Sequence, residues 1–596
     1  MCGLLGAVGK PGAFRRWSSD WLESLQHRGP DDEGHWSSDD QRVIFGHRRL
    51  AVIDTSSDGH QPMCSADGAV AVVFNGEIYN FVELRRELAA LGHAFRSASD
   101  TEVLIAAYLE WGQSCVDRFV GMWAFALHDS RTGVTWLCRD PFGIKPLYYT
   151  LQEDAVLFAS EIPPLLDFGA ASPNLQVAYD FLRWGHVDRT GETFIDGVQQ
   201  LRAGESLVIS SAQPGEPRRS AYTTPPQRLG GSDLSYEEAC NELRELLTRS
   251  VELHLRSDVT VGAALSGGLD SSTITMLMRE VGGPTLDLQT VSFLGDGEKL
   301  DESRWVAAVA EACGSVRHDV RLADDDIPEL AALVAAAQFE PFGSLSIVAQ
   351  YAVFGAAAEA GITVMLDGQG ADELFAGYPS FQTERLVDLL RRGRVRDVAS
   401  LARVIQLREG PGGVARAFAR AAPRRFAIAM WSWWMERTRP GWLDVEWFAA
   451  RGVRVGADRA DLPASFDQAV VSSQVSTSLP GLLRYEDRNS MAHSIESRVP
   501  FLTREIADFA ARLPASFLID GDGRSKAILL DSMRGVVPPD VLARRDKVAF
   551  SVPQNDWMRG MVARPAVDLD GIRPLAAGHS EFRVWSYQHF LDLLRA

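Results

Sequence analysis

The chain has 596 residues, 46% hydrophobic and 23% charged, a globular composition too long for one core, so two or more domains are expected. Its net charge of −19 argues against non-specific binding to nucleic acid or to an anionic membrane surface. The six cysteines form no Cys-x-x-Cys pair, no apolar run reaches spanning length, and no basic-then-apolar leader opens the chain; a soluble, cytoplasmic protein with reduced thiols is expected.

The chain begins Met1-Cys2-Gly3. Removal of Met1 would give Cys2 a free α-amine, which titrates near about pH 8 and can serve as base for its own thiol. A buried, inert cysteine is the plainer alternative, and the surrounding stretches decide between them. Gln26 to Asp32 is a polar turn punctuated by Gly29-Pro30. Gly46 to Asp54 runs basic residues into a strand. The apolar strand Ala69 to Phe74 ends in Asn75-Gly76, which on its own is a hairpin signal. Ser97 to Glu102 precedes a helical run.

Together with Cys2, these stretches resemble the class II glutamine amidotransferase domain. That is an N-terminal-nucleophile hydrolase fold, an αββα sandwich, and the likeness covers roughly the first third of the chain. The resemblance implies that Cys2 attacks the side-chain amide of glutamine, giving a thioester and ammonia. It implies an oxyanion hole from the Asn75 side chain and the Gly76 N–H. Arg49 would pair with the substrate carboxylate, with Leu50 and Ile53 beside it, and Glu77 and Asp100 would accept from its ammonium group. Arg139 to Tyr149 and Phe158 to Glu161 also look like family segments and are assigned to structure and to the domain junction. The Pro/Gly/Arg-rich stretch after Ser211 reads as a linker. The expected division is a glutaminase domain over 1–210, a linker over 211–234 and a second domain over 235–596.

In the second half an amphipathic helix, Tyr236 to Leu255, leads into the apolar strand Val259 to Leu265. A Gly-rich turn and a helix from Ser272 to Glu280 follow. Strand, turn and helix together aim backbone N–H groups and a helix dipole at one point, where an anion can sit. Asp270 is out of place there unless a cation comes too, which suggests a magnesium-bound phosphate. Strands at Leu288 to Leu294 and Ile362 to Leu366 complete a parallel-sheet pattern, and the latter ends in a second Gly-rich turn, Asp367 to Tyr378.

Ser266-Gly267-Gly268-Leu269-Asp270-Ser271-Ser272 resembles the pyrophosphate loop of ATP pyrophosphatases. That likeness implies a parallel-sheet ATP-pyrophosphatase domain with added helices. It would bind ATP through Leu265, Ser266, Gly267, Gly268, Asp270, Ser271, Ser272, Phe293, Asp367 and Gly368, with Mg²⁺ on Asp270 and Asp372. Glu340 to Ser346 is similar to a family segment lining the synthetase cleft. The Arg-rich, helical residues 380–475 are expected to be solvated helix faces over a tryptophan-filled core holding Trp431, Trp433 and Trp434, in preference to a nucleic-acid surface. Tyr485 to Leu502 and Arg544 to Ser551 look like hallmark stretches of the asparagine synthetase C-terminal domain. Lys547 matches the lysine that counters charge at the departing pyrophosphate, and His493 is expected to orient a helix.

Over nearly its full length the chain resembles glutamine-hydrolysing asparagine synthetases. The resemblance implies a C–N ligase using glutamine, ATP and a carboxylic acid such as aspartate, with an acyl-adenylate intermediate and an internal ammonia passage. A homodimer is left open. One departure is Gln369, which stands where the family carries a glutamate linked to formation of the aspartyl adenylate; it keeps the shape and loses the charge. The alternative is a macrolactam or β-lactam synthetase using an internal amine. Those usually have a degraded glutaminase, whereas Cys2, Arg49, Asn75 and Asp100 are all present here.

Overall fold

A computed structural model describes residues 2–10, 19–167, 172–224, 228, 230–231, 233–295, 301–456, 462–544, 552–561, 571–573 and 581–595. The first twelve strands are β1 (Gly3–Gly9), β2 (Asp32–Ser37), β3 (Val43–Arg49), β4 (Met63–Cys64), β5 (Val70–Ile78), β6 (Gly121–Asp129), β7 (Val134–Arg139), β8 (Tyr148–Gln152), β9 (Ala155–Ala159), β10 (Val198–Gln200), β11 (Glu205–Ser210) and β12 (Gln213–Ala221). They form two six-stranded sheets, ordered β10-β8-β9-β1-β3-β2 and β12-β11-β7-β6-β5-β4. Alternation explains the stacking. Leu4 and Val8 of β1 face Val73, Ala124 and Ala126 of the other sheet, whereas Leu5 and Ala7 face the outer helices. The helix Leu175–Trp184 covers one outer face and Asp100–Trp111 the other. This is the αββα layering of N-terminal-nucleophile hydrolases.

The expected linker needs a correction. Gln213–Ala221 is not linker but a strand, paired along β11 with Leu207 opposite Arg219. It was hidden because it lies at the sheet edge with most side chains exposed, so it lacks apolar alternation, and an edge tolerates Pro214 and Pro217.

The second domain carries β13 (Val261–Ala264), β14 (Gln289–Phe293), β15 (Val316–Val320), β16 (Val364–Leu366) and β17 (Glu496–Arg498), all parallel, in the order β15-β14-β13-β16-β17. The leading helix, Tyr236–His254, opens with a complete capping box between Ser235 and Glu238. The helix after the first Gly-rich turn begins at Leu269, earlier than Ser272, so Asp270, Ser271 and Ser272 occupy its first turn. Strand β17 has no sequence signal, being three polar residues. Burial makes it a strand: Glu496, Ser497 and Arg498 are at most 3% exposed because the first domain covers this edge.

The interface between the domains is unusually charged for its burial. Arg28 is fully buried, with Nη1 2.7 Å from Glu161 and 2.9 Å from Asp487 of the second domain. Arg488 reaches Glu161 at 2.9 Å, and Arg484 joins Asp188 at 2.8 Å and Glu340 at 3.2 Å. Glu340 thus serves the interface, also accepting the Phe194 N–H at 3.1 Å. Arg139 ties the junction turn by donating to the carbonyls of Lys145, Leu201 and Gly143 at 2.6–2.7 Å, which presents Lys145 to Asp487 at 3.8 Å. His493 packs on Tyr351, ring centroids 4.3 Å apart, and the neighbouring Ser494 hydroxyl donates to the His27 carbonyl at 2.7 Å.

The tryptophan-filled core expected within residues 380–475 is not found. The helices Pro379–Arg391, Val395–Glu409 and Pro411–Ala421 pack through Leu386, Leu389, Leu401, Ile405 and Ala417, while Trp433 and Trp434 are exposed by 59% and 49%.

Candidate active sites

The first centre is built on β1 and β5. Cys2 immediately precedes β1 and is buried; its N–H donates to Asn75 Oδ1 at 2.9 Å, and its carbonyl accepts from Arg28 Nε at 3.1 Å. Burial pushes the Cys2 thiol up from its ordinary value, partly countered by nearby Arg49, so the thiol needs a base to become a nucleophile. Asn75 is fully buried, and its Nδ2 has no hydrogen-bond partner among the described residues. A buried amide donor without a partner beside a thiol fits the demand of an oxyanion.

Gly76 must be glycine, since a Cβ would lie 2.2 Å from the Met122 carbonyl oxygen. Its backbone faces the same edge as those of Phe74 and Ile78, because alternate strand residues aim their N–H groups alike. Those two donate to the Gln61 and Asp100 side chains at 2.7 and 2.9 Å, which directs the Gly76 N–H towards that same edge. Arg49 is buried, with Nη1 on the Ser56 carbonyl at 2.7 Å and Nη2 on those of Ile53 and Asp54. Asp54 in turn accepts the Ala98 N–H at 2.7 Å, joining this loop to the segment that begins Asp100. Leu50 and Ile53 are buried beside it. Asp100 is raised to about 6, first by burial, with Glu496 of the second domain adding to it. Glu77 is raised well above the carboxylate range by burial, then by Glu496 and Asp100. A ligand ammonium would draw both into the charged form.

The second centre gathers loops from distant parts of the chain. Gly267 takes φ 69°, a conformation glycine adopts freely, and lies where a Cβ would meet Trp305. Ser266 N–H and the Gly268 N–H are braced by the hydroxyls of Ser271 (3.1 Å) and Ser266 (3.3 Å). Leu265 and Phe293 are buried at the ends of adjoining strands. Ser272 Oγ is fully buried in the first helical turn with no partner among the described residues, which fits an acceptor-rich phosphate at a helix N-terminus. The two Gly-rich loops abut, since a Cβ on Gly368 would lie 2.9 Å from that of Asp270. Asp367 accepts the Gly368 N–H at 2.5 Å and is raised to about 6 by burial and by Asp270. Gln369 is half-buried on the same turn.

Lys526 is the residue that sequence reasoning missed. Its Nζ is 2.6–2.7 Å from both oxygens of Asp270 and 2.6 Å from Asp372, with the side chain 5% exposed. The two carboxylates expected to hold a metal therefore meet around one ammonium. Two carboxylates converging on one cation match the protein's usual share of a Mg²⁺ site completed by phosphate and water, and no third Asp, Glu, His or Cys joins them among the described residues. The signal was weak: a single lysine in Ser525-Lys526-Ala527, held in the left-handed region at φ 53°. Lys547 lies outside the described residues, but Arg544 places that segment's start at the loop, donating to the Gly267 carbonyl at 3.2 Å and pairing with Glu302 at 2.6 Å.

A glutamine amidotransferase domain family matches residues 1–220, and the Asparagine synthase family matches residues 242–592. The chain belongs to the asparagine synthase family. It is 29% identical over 612 residues to glutamine-hydrolysing asparagine synthetase 1 of Bacillus subtilis (strain 168), covering 95% of this chain and 91% of that one. Asparagine synthetase 3 of the same organism is 28% identical over 590 residues, covering 94% and 89%. A protein named Amidase chry2 from Gibberella zeae is 28% identical over 600 residues, covering 92% and 86%. As a family member with both domains, the chain is a C–N ligase of the asparagine synthetase type.

Proposed function

We propose that this protein uses ATP to activate a carboxylic acid and converts it to an amide with ammonia taken from glutamine. The observation that carries the reading is the pairing, across one buried interface, of an Asn75 Nδ2 without a partner among the described residues, beside Cys2, with the Asp270–Lys526–Asp372 cluster at the Gly-rich loops.

In the first domain, the Cys2 α-amine, freed by loss of Met1, takes the thiol proton and the thiolate attacks the glutamine amide. The oxyanion falls to Asn75 Nδ2 and the Gly76 N–H. Arg49 holds the substrate carboxylate, flanked by Leu50 and Ile53, and Glu77 with Asp100 hold its ammonium. In the second domain, the backbone of Leu265 to Gly268, the hydroxyls of Ser266, Ser271 and Ser272, and Gly368 cradle the phosphates, with Phe293 beside the base. Mg²⁺ would be held by Asp270 and Asp372 and would neutralise the phosphate charge. Lys547 counters the departing pyrophosphate. The activated acid is an acyl-adenylate, and ammonia crossing inside the protein attacks it to release AMP and the amide. An internal route keeps ammonia unprotonated and the adenylate away from water. A cytoplasmic setting suits these substrates.

Gln369 sets the question of the acid. It cannot pair ionically with the ammonium of aspartate, so aspartate and an acid without that group are both candidates, and the amidase-named relatives leave room for the latter. The first test is formation of asparagine and AMP from aspartate, glutamine and ATP, followed by an acid screen for pyrophosphate release. Asparagine formation supports the aspartate reading. Absence of aspartate turnover, with glutamine hydrolysis intact and pyrophosphate released on another acid, rejects it. The assembled glutaminase centre favours ammonia over an internal amine. Full activity of Cys2→Ala with glutamine as sole nitrogen source would reverse that preference.

A further inference from the structure

We propose that Tyr79 and Arg498 form a holding site for ammonia between the two centres, an inference that rests on the amidotransferase reading above. Side chains two apart on a strand share a face, so Asn75, Glu77 and Tyr79 form one line that starts at the Cys2 N–H and advances about 6.5 Å per pair. Tyr79 prolongs the strand by donating its N–H to the Val120 carbonyl at 2.8 Å. Its ring then joins the apolar cluster of the second domain, together with Leu50, Val52, Met122 and Ile144 from the first.

Arg498 receives the line from the other side. Its Cζ is 5.3 Å from the centroid of the Tyr79 ring. It sits on β17, and its carbonyl accepts the N–H of Asp367, first residue of the second Gly-rich loop, at 2.8 Å. Contact by contact, these residues lead from the nucleophile to the loop where the acid is activated.

The hydrogen bonding at this midpoint is incomplete. Arg498 is fully buried and spends Nη1 on the carbonyls of His254 and Arg256 at 2.6 and 2.7 Å, and Nε on Glu496 at 2.5 Å. Its Nη2 has no partner among the described residues, and neither has the Oη of Tyr79, a residue 3% exposed. A buried polar group without a partner is costly, and here a guanidinium 5.3 Å over the ring centroid and that ring's own hydroxyl both have capacity left for a small hydrogen-bonding guest. Ammonia has the right complement: a lone pair to accept from Arg498 Nη2, and N–H groups to donate to Tyr79 Oη. Glu496, the carboxylate beside it on the strand, accepts from the Nε of that same guanidinium.

The experiment is the ratio of glutamate released to AMP formed, at saturating glutamine and ATP, with aspartate or whichever acid releases pyrophosphate. Tyr79→Phe removes one oxygen and keeps the ring, so folding is not at stake. The wild type is expected near one glutamate per AMP, and the variant about fivefold higher, the change one lost hydrogen bond makes in occupancy. In a high-resolution crystal structure of the wild type, one ordered water is expected between Tyr79 Oη and Arg498 Nη2, absent in Tyr79→Phe. An unaltered ratio in the variant, or direct protein partners for both atoms in the crystal, overturns the holding site. A wild type that forms no AMP from either glutamine or ammonium chloride rejects the amidotransferase reading instead, so the two failures are distinct.

Discussion

The two centres are made in different ways. In the first, Asn75, Gly76 and Glu77 are consecutive on β5, and Cys2 is fixed by the strand that follows it. In the second, Asp270, Asp372 and Lys526 come from three loop ends more than a hundred residues apart, and an ammonium rather than a strand holds them together. A centre on one strand inherits its geometry from the sheet ladder. A centre of converging loops depends on electrostatics, and its shape is conditional on which cation occupies it.

The largest effect expected is at the strand-built centre. Cys2→Ala should abolish glutamine hydrolysis to background while ammonium chloride still supports AMP formation, read as glutamate and AMP in parallel assays. Loss of both activities would mean that the centres are not separable. For the loop-built centre, Lys526→Ala should lower acid-dependent pyrophosphate release by on the order of 10²-fold, as for removal of one preset charge, and leave glutamate release nearly intact. A wild-type rate would show that Lys526 only fills space.

Between the centres, Arg28→Ala removes the cation shared by Glu161 and Asp487, leaving Arg488 on the first and the more distant Lys145 on the second, and should cost about 2–3 kcal/mol of stability, seen as a lowered unfolding midpoint. An unchanged midpoint would contradict the interface described above. The smallest effect is in pH. Asp100 titrates near about 6 before substrate binds, and its protonated form cannot answer an ammonium group. Therefore kcat/KM for glutamine hydrolysis should fall as pH drops through about 6, and a profile flat to pH 5 would remove Asp100 from substrate binding.

The same contrast decides what the sequence made legible. The sandwich, and the meeting of Cys2 with Asn75 at β5 and of Asp100 with the end of that strand, were readable because motif and strand coincide locally. The Gly-rich loop at Ser266 was readable for the same reason, with the helix start displaced by three residues. Lys526 was not, since nothing near it in the chain foretells two aspartates arriving from elsewhere. Strands β12 and β17 escaped for opposite reasons. The first is too exposed to show alternation, and the second is so short and polar that only the neighbouring domain's cover makes it a strand. Trp433 and Trp434 misled because aromatic content suggests a core, whereas the helix Arg424–Arg437 buries little beyond Ala427.

Because β17 is a sheet edge capped by another domain, the protein is not two separable enzymes on a string. Released alone, the second domain would present an unpaired strand with Glu496 and Arg498 in water, a template for pairing with other chains. The first domain would present Arg28 without Asp487. Each half is therefore the other's chaperone, and any transplant of a new glutaminase onto this synthetase must carry the charge pattern facing β17, or the hybrid will aggregate before it can be assayed.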